Sequence, residues 1–144
     1  MSVKQISVFL ENKPGTLSEM TKVLADAKVD VRAMSLAETK DFGIVRMIAA
    51  DVYEAMNVLK EAEFIASLTS VLAFEIPDEP GGLGRIVDGF TQAGVNIEYM
   101  YASLSGKHTG QAYMIFRVAD TKAAEAALVG RGFVPLSQED IAGI

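Results

Sequence analysis

Residues 6–17 read ISVFLENKPGTL, and residues 72–83 read LAFEIPDEPGGL. In each, an apolar run ends in a short polar turn. A Pro-Gly pair then precedes the next apolar residue. The first run alternates, with Ile6, Val8 and Leu10 on one face and Ser7 and Phe9 on the other, as a half-buried strand requires. Proline costs nothing near a helix start, where the first N–H groups have no intrahelical partner. Beyond the turn, Leu17, Met20 and Leu24 recur at helical spacing, and Leu83, Ile86, Val87 and Phe90 repeat the stripe. Both stretches therefore predict strand, turn and helix.

The match extends along the chain. At an offset of 66, Pro14, Gly15, Leu17, Ala27, Val29 and Met34 fall on Pro80, Gly81, Leu83, Ala93, Val95 and Met100. The offset is read as 67 where Gly43 meets Gly110 and Met47-Ile48 meets Met114-Ile115. It is 69 where Ala50-Asp51 meets Ala119-Asp120 and where Ala55, Leu59 and Phe64 meet Ala124, Leu128 and Phe133. Matches kept in order over a whole period are the mark of a duplication. Second strands are expected at 31–36 and 97–104, polar hairpins at "AETKDFG" and "SGKHTG", and third strands at 44–49 and 112–118. Asp51 and Asp120 stand where N-caps belong, before helices over 53–62 and 122–129, and a short strand closes each unit. Gly94 is a natural stop for its helix, and Lys28 holds that place in the first copy. Strand-helix-strand crossovers are right-handed. The expected fold is α+β: two tandem ferredoxin-like βαββαβ units, 1–69 and 70–144, with antiparallel sheets and helices on one face.

Composition narrows the function. The formal charge is −6, with 13 basic residues scattered along 144 positions. That opposes nucleic-acid binding, which needs phosphate neutralisation, although RNA-recognition modules share this strand order. No apolar stretch approaches the ~18 residues of a membrane span, and no leader peptide is apparent at the N-terminus. With no cysteine there is no disulfide, and a cytoplasmic location is expected. The one histidine, His108, lies in a Gly-flanked hairpin without a partner carboxylate nearby in sequence and reads as a solvated turn residue. No metal-ligand spacing and no nucleophile–base motif occurs, so neither catalysis nor a cofactor is expected. The run "PGGLGRI" matches neither glycine-rich nucleotide fingerprint. What remains is a helix N-terminus suited to a carboxylate, beside Asn12 or Asp78 suited to an ammonium. Together these describe a site for an α-amino acid; both residues also serve simply to close turns.

"ENKPGTLSEMTKVLADAKVDV" and "PDEPGGLGRIVDGFTQAGVNI" resemble the opening of ACT domains: Asp/Asn-x-Pro-Gly-x-Leu, a helix, then Gly-Val-Asn-Ile. The second copy keeps Gly94-Val95-Asn96-Ile97, whereas the first has Lys28-Val29-Asp30-Val31. The resemblance implies regulatory binding of a small amino acid, with ligand contacts from the first turn of one unit and from the residue after the first helix of its neighbour. It implies contacts at Asn12, Gly15, Thr16, Asp30, Asp78, Gly81, Gly82, Asn96 and Ile97. One expected site pairs Asn12 with Asn96 and the other Asp78 with Asp30. If dimers instead pair like units, Asn12 meets Asp30. Two amides suit a zwitterion, and two carboxylates repel its carboxylate, so the Asn12–Asn96 pair is the expected site. The expected molecule is a non-catalytic sensor, a homodimer because spare strand edges invite one, acting on an enzyme of amino-acid metabolism. The alternative is a subunit of such an enzyme that needs no ligand.

Overall fold

A computed structural model of the chain describes residues 2–104 and 110–144; His108 lies outside them. Two compact units are seen, Lys4–Thr69 and, for most of the other, Ser70–Ile144. In the first, β1 (Val3–Glu11), α1 (Thr16–Asp26), β2 (Val31–Glu38), β3 (Phe42–Ala49) and α2 (Val52–Glu61) follow in order. The sheet runs β2-β3-β1, antiparallel throughout. Ile6, Val8 and Leu10 of β1 and Val45 and Met47 of β3 face Met20 and Leu24 of α1 and Ala55 and Leu59 of α2, forming one core.

The strand β4 (Ile65–Pro77) carries the end of the first repeat and the beginning of the second. Two separate strands were expected here; no Gly or Pro interrupts residues 65–76, so nothing breaks the extended backbone. The second unit adds α3 (Gly82–Gln92), β5 (Tyr99–Ala102), β6 (Gln111–Arg117), α4 (Thr121–Val129), β7 (Val134–Pro135) and α5 (Gln138–Ala142). Its sheet order is β7-β4-β6-β5. Phe74, Phe90 and Phe116 meet in its core, with ring centroids 4.9–6.4 Å apart.

Three further expectations are corrected, and one element is new. The pairs Leu10↔Gly43 and Ile76↔Ala112 make Ala112, not Gly110, the counterpart of Gly43. The offset is therefore already 69 at the third strand, and the length difference lies in the hairpin before it. Strand β5 begins at Tyr99, two residues later than expected. Leu83 stays 42% exposed; the buried face of α3 is Gly82, Ile86, Gly89 and Phe90. The unexpected α5 is started by a capping box between Ser137 and Asp140.

The capping expectations hold: Asp51 accepts from Glu54 N and Asp120 from Ala123 N, each at 3.0 Å. Each of α1 to α4 ends in a left-handed residue, Lys28, Glu63, Gly94 and Gly132 respectively. The next N–H then reaches back, as in Val29 N to Leu24 O and Phe64 N to Leu59 O, both 2.9 Å. The first unit holds φ of 58° and 67° without glycine, which strains an L-residue. Lys28→Gly is expected to stabilise the chain by about 0.5–1 kcal/mol, the relief of that strain less the greater freedom of an unfolded glycine. Urea unfolding would check it, and a lower midpoint would refute it.

Candidate functional site

The Pro-Gly pair bends the chain off β1 into α1. Gly15 takes φ 95° as N-cap and has no side chain to cap the helix, so the first N–H groups of α1, which have no intrahelical acceptor, gain none from the N-cap side chain either. Beside them lies a cleft of about 340 Å³. Leu10, Leu17 and Leu36 give its apolar lining, Glu11, Asn12, Lys13, Thr16 and Glu38 its polar groups, and Gly43 a stretch of bare backbone.

Asn12 is tied to the hairpin between β2 and β3. Its Nδ2 donates to Glu38 Oε2 at 3.0 Å, Thr39 O at 3.1 Å and, at the longer distance of 3.4 Å, Lys40 O. Its backbone N–H donates to Asp41 O at 2.9 Å. Three acceptors around one end of the amide set its orientation, which leaves Oδ1 as the group Asn12 offers to a ligand. Asn12 thus presents an acceptor next to the Glu38 carboxylate, and both suit an ammonium. Lys13, also in the lining, is paired with Glu11: its ammonium lies 2.9 Å from that carboxylate, and the hydrogen bond and charge raise its pKa above the ordinary lysine value. A ligand carboxylate would meet the α1 N–H groups rather than a free cation.

The second turn is built differently. In the first, the Thr16 hydroxyl donates to Glu11 O at 2.8 Å and Lys13 O at 3.1 Å. Gly82 replaces Thr16, and its backbone N–H donates to Glu79 O at 3.0 Å instead. With no side chain to hold it off, the backbone closes until a Cβ on Gly82 would overlap the Pro77 carbonyl oxygen. Gly81 repeats the left-handed N-cap at φ 87°. Asp78 N–H donates to Gly110 O, matching Asn12, while Glu79 pairs with Arg85.

After α1, Asp30 pairs with Arg32 at 2.9 Å, and it does not line the first cleft. After α3, Asn96 is exposed and lines a separate hollow of about 350 Å³ with Glu98, Asp120 and Ala123. Ile97 instead packs against the second core. Within the first unit, then, Asn12 and Thr16 come together with Gly15 at the helix start, and Asp30 stays apart. Glu38, Leu36 and Gly43 were not anticipated from sequence. Their place in the cleft depends on register, with Gly43 paired to both Leu10 and Glu38, and no local signal announces it.

The face of this sheet away from the helices carries Phe9, Ala37, Phe42, Ile44 and Ile65 around an open, apolar hollow of about 530 Å³. Among the described residues, no group of three His, Cys, Asp or Glu side chains is placed to hold a metal, and no helix is long and apolar enough to cross a membrane.

The family model of the ACT domain pair matches residues 1–143. Among solved structures, the protein BT0572 from Bacteroides thetaiotaomicron is similar over 100% of this chain and 98% of its own, at 33% identity and a TM-score of 0.92. The regulatory subunit of aspartate kinase from Thermus thermophilus, in a ligand-free form, is similar over 90% of both chains, at 18% identity and a TM-score of 0.67. Its Thermus flavus equivalent covers 88% of this chain and 90% of its own, at 16% identity and a TM-score of 0.58. Comparison with curated proteins finds no match.

Proposed function

For a chain that belongs to the ACT domain pair family, we propose the role of a non-catalytic regulatory protein that binds a small amino acid and modulates a partner enzyme of amino-acid metabolism. The observation that carries this reading is the cleft of the first unit. Asn12 Oδ1 and Glu38 offer acceptors for an ammonium there, and the start of α1 offers donors for a carboxylate. The fold shared with regulatory subunits of aspartate kinase supports a partner of that metabolic class. Binding would favour one arrangement of the protein over another, by no more than the ligand's difference in affinity for the two. A homodimer, a cytoplasmic location and a contribution from Asn96 belong to the same proposal.

A thermal-shift screen of the purified chain against the twenty amino acids tests it. A ligand at a hundred times its dissociation constant adds about 2.7 kcal/mol. At roughly 2–4 °C per kcal/mol, the melting temperature rises by several degrees. No response to any of the twenty would overturn the proposal. The second reading, a ligand-independent subunit, would then lead, because the apolar sheet face bearing Phe9, Phe42 and Ile65 suits a protein partner.

A further inference from the structure

Gly43 lies inside β3, paired on both sides, where glycine weakens a strand. Three structural reasons for a strand glycine are available, and two do not apply. Gly43 is not among the residues with positive φ, so its backbone suits other residues. The irregularity in the β2–β3 pairing falls between Val31 and Ala33, at the other end of the strands. Close approach of another group remains. The nearest group is a side chain that can yield: a Cβ on Gly43 would meet Leu36 Cδ1 at 3.3 Å, a tight contact, and Ala37 O at 3.7 Å, an ordinary one. Leu36 is 54% exposed and free to turn aside. The fold itself accommodates a methyl at this register, because Ala112 occupies it in the second unit and packs against the core there. What distinguishes Gly43 is the cleft that it lines together with Leu10 and Leu36.

We infer that Gly43 determines which side chains the cleft accepts, and that the ligand is an α-amino acid without an acidic group in its side chain, which lies on the Gly43 backbone beside Leu10 and Leu36. This rests on the amino-acid reading of the cleft. Glu38 at the rim, and Lys13 already paired with Glu11, make the cleft unfavourable for a ligand with an acidic side chain. A methyl on Gly43 fills the floor, and turning Leu36 away from it narrows the space further.

Calorimetric titration of the wild-type chain, Gly43→Ala and the double variant Gly43→Ala/Leu36→Ala tests the inference. The probes are the amino acid with the largest wild-type thermal shift, glycine, aspartate and glutamate. Unliganded melting curves establish that each variant folds. Gly43→Ala is expected to weaken the best ligand at least about tenfold, or 1.4 kcal/mol. Leu36→Ala in that background restores part of the affinity without raising the unliganded melting temperature, whereas mere relief of the Leu36 contact would raise it. Aspartate and glutamate bind at least about tenfold more weakly than the best ligand. Affinity within twofold of wild type in Gly43→Ala overturns the inference and leaves the amino-acid reading standing. So does glycine, aspartate or glutamate proving the best ligand. A wild-type chain that binds no amino acid removes the underlying reading, and the inference with it.

Discussion

Gly82→Ala is expected to lower the melting temperature of the chain by about 6–12 °C. The added Cβ would overlap the Pro77 carbonyl oxygen, a backbone atom that no rotamer change can move aside. Relief requires the turn to open, breaking the bond from Gly82 N–H to Glu79 O or shifting α3 off its core contacts at Ile86 and Phe90. Overpacking of this kind costs about 3 kcal/mol, and about 2–4 °C accompany each kcal/mol. Gly84→Ala is the control. It lies in the same helix, exposed, with nothing within 4 Å of its added Cβ. There alanine gains helix propensity of about 0.8–1 kcal/mol. Calorimetry of both variants decides the matter, and equal melting temperatures would show that the second turn is not held closed as described.

Asn12→Ala is expected to act twice. It removes three donated hydrogen bonds to the hairpin, two within 3.1 Å, at a cost of about 1–2 kcal/mol because the site is exposed. It also removes the acceptor beside the ligand ammonium. Hydrogen bonds to charged groups contribute about 1.5–3 kcal/mol, so affinity falls roughly 10- to 150-fold. Glu38→Gln separates the two effects. The glutamine oxygen can still accept from Asn12 Nδ2, so the hairpin stays tied, while the carboxylate charge is gone. Lower affinity with unchanged stability in Glu38→Gln supports an ammonium at this spot. Unchanged affinity in both variants would remove Asn12 and Glu38 from the site.

The repeat was legible because its signals are local. Pro-Gly turns, alternating strands and aspartate caps each sit within a few residues of what they control, and each recurs in the second copy. Boundaries that depend on pairing were less legible. Gly43 and Gly110 match as letters, yet backbone pairing sets Gly43 against Leu10 and Ala112 against Ile76. Leu83 satisfied helical periodicity, yet it stays 42% exposed while Gly82, Ile86, Gly89 and Phe90 form the buried face. Asn12 was identified as a polar contact from its position alone. That it donates to the hairpin and offers only an acceptor follows from Glu38, Thr39 and Lys40, more than 25 positions away.

The closed second turn bears on how the chain would report concentration. A duplicated receptor is often imagined to count twice, with the first occupancy helping the second. With its Gly82 N–H bonded to Glu79 and its backbone drawn against Pro77, the second turn is held differently from the first, where the Thr16 hydroxyl bonds Glu11 O and Lys13 O. Under the proposed function, a single chain so built would take up ligand along a simple hyperbola, half-saturated at its dissociation constant. Its output would be graded, and any steepness in the response would have to arise from assembly with other chains.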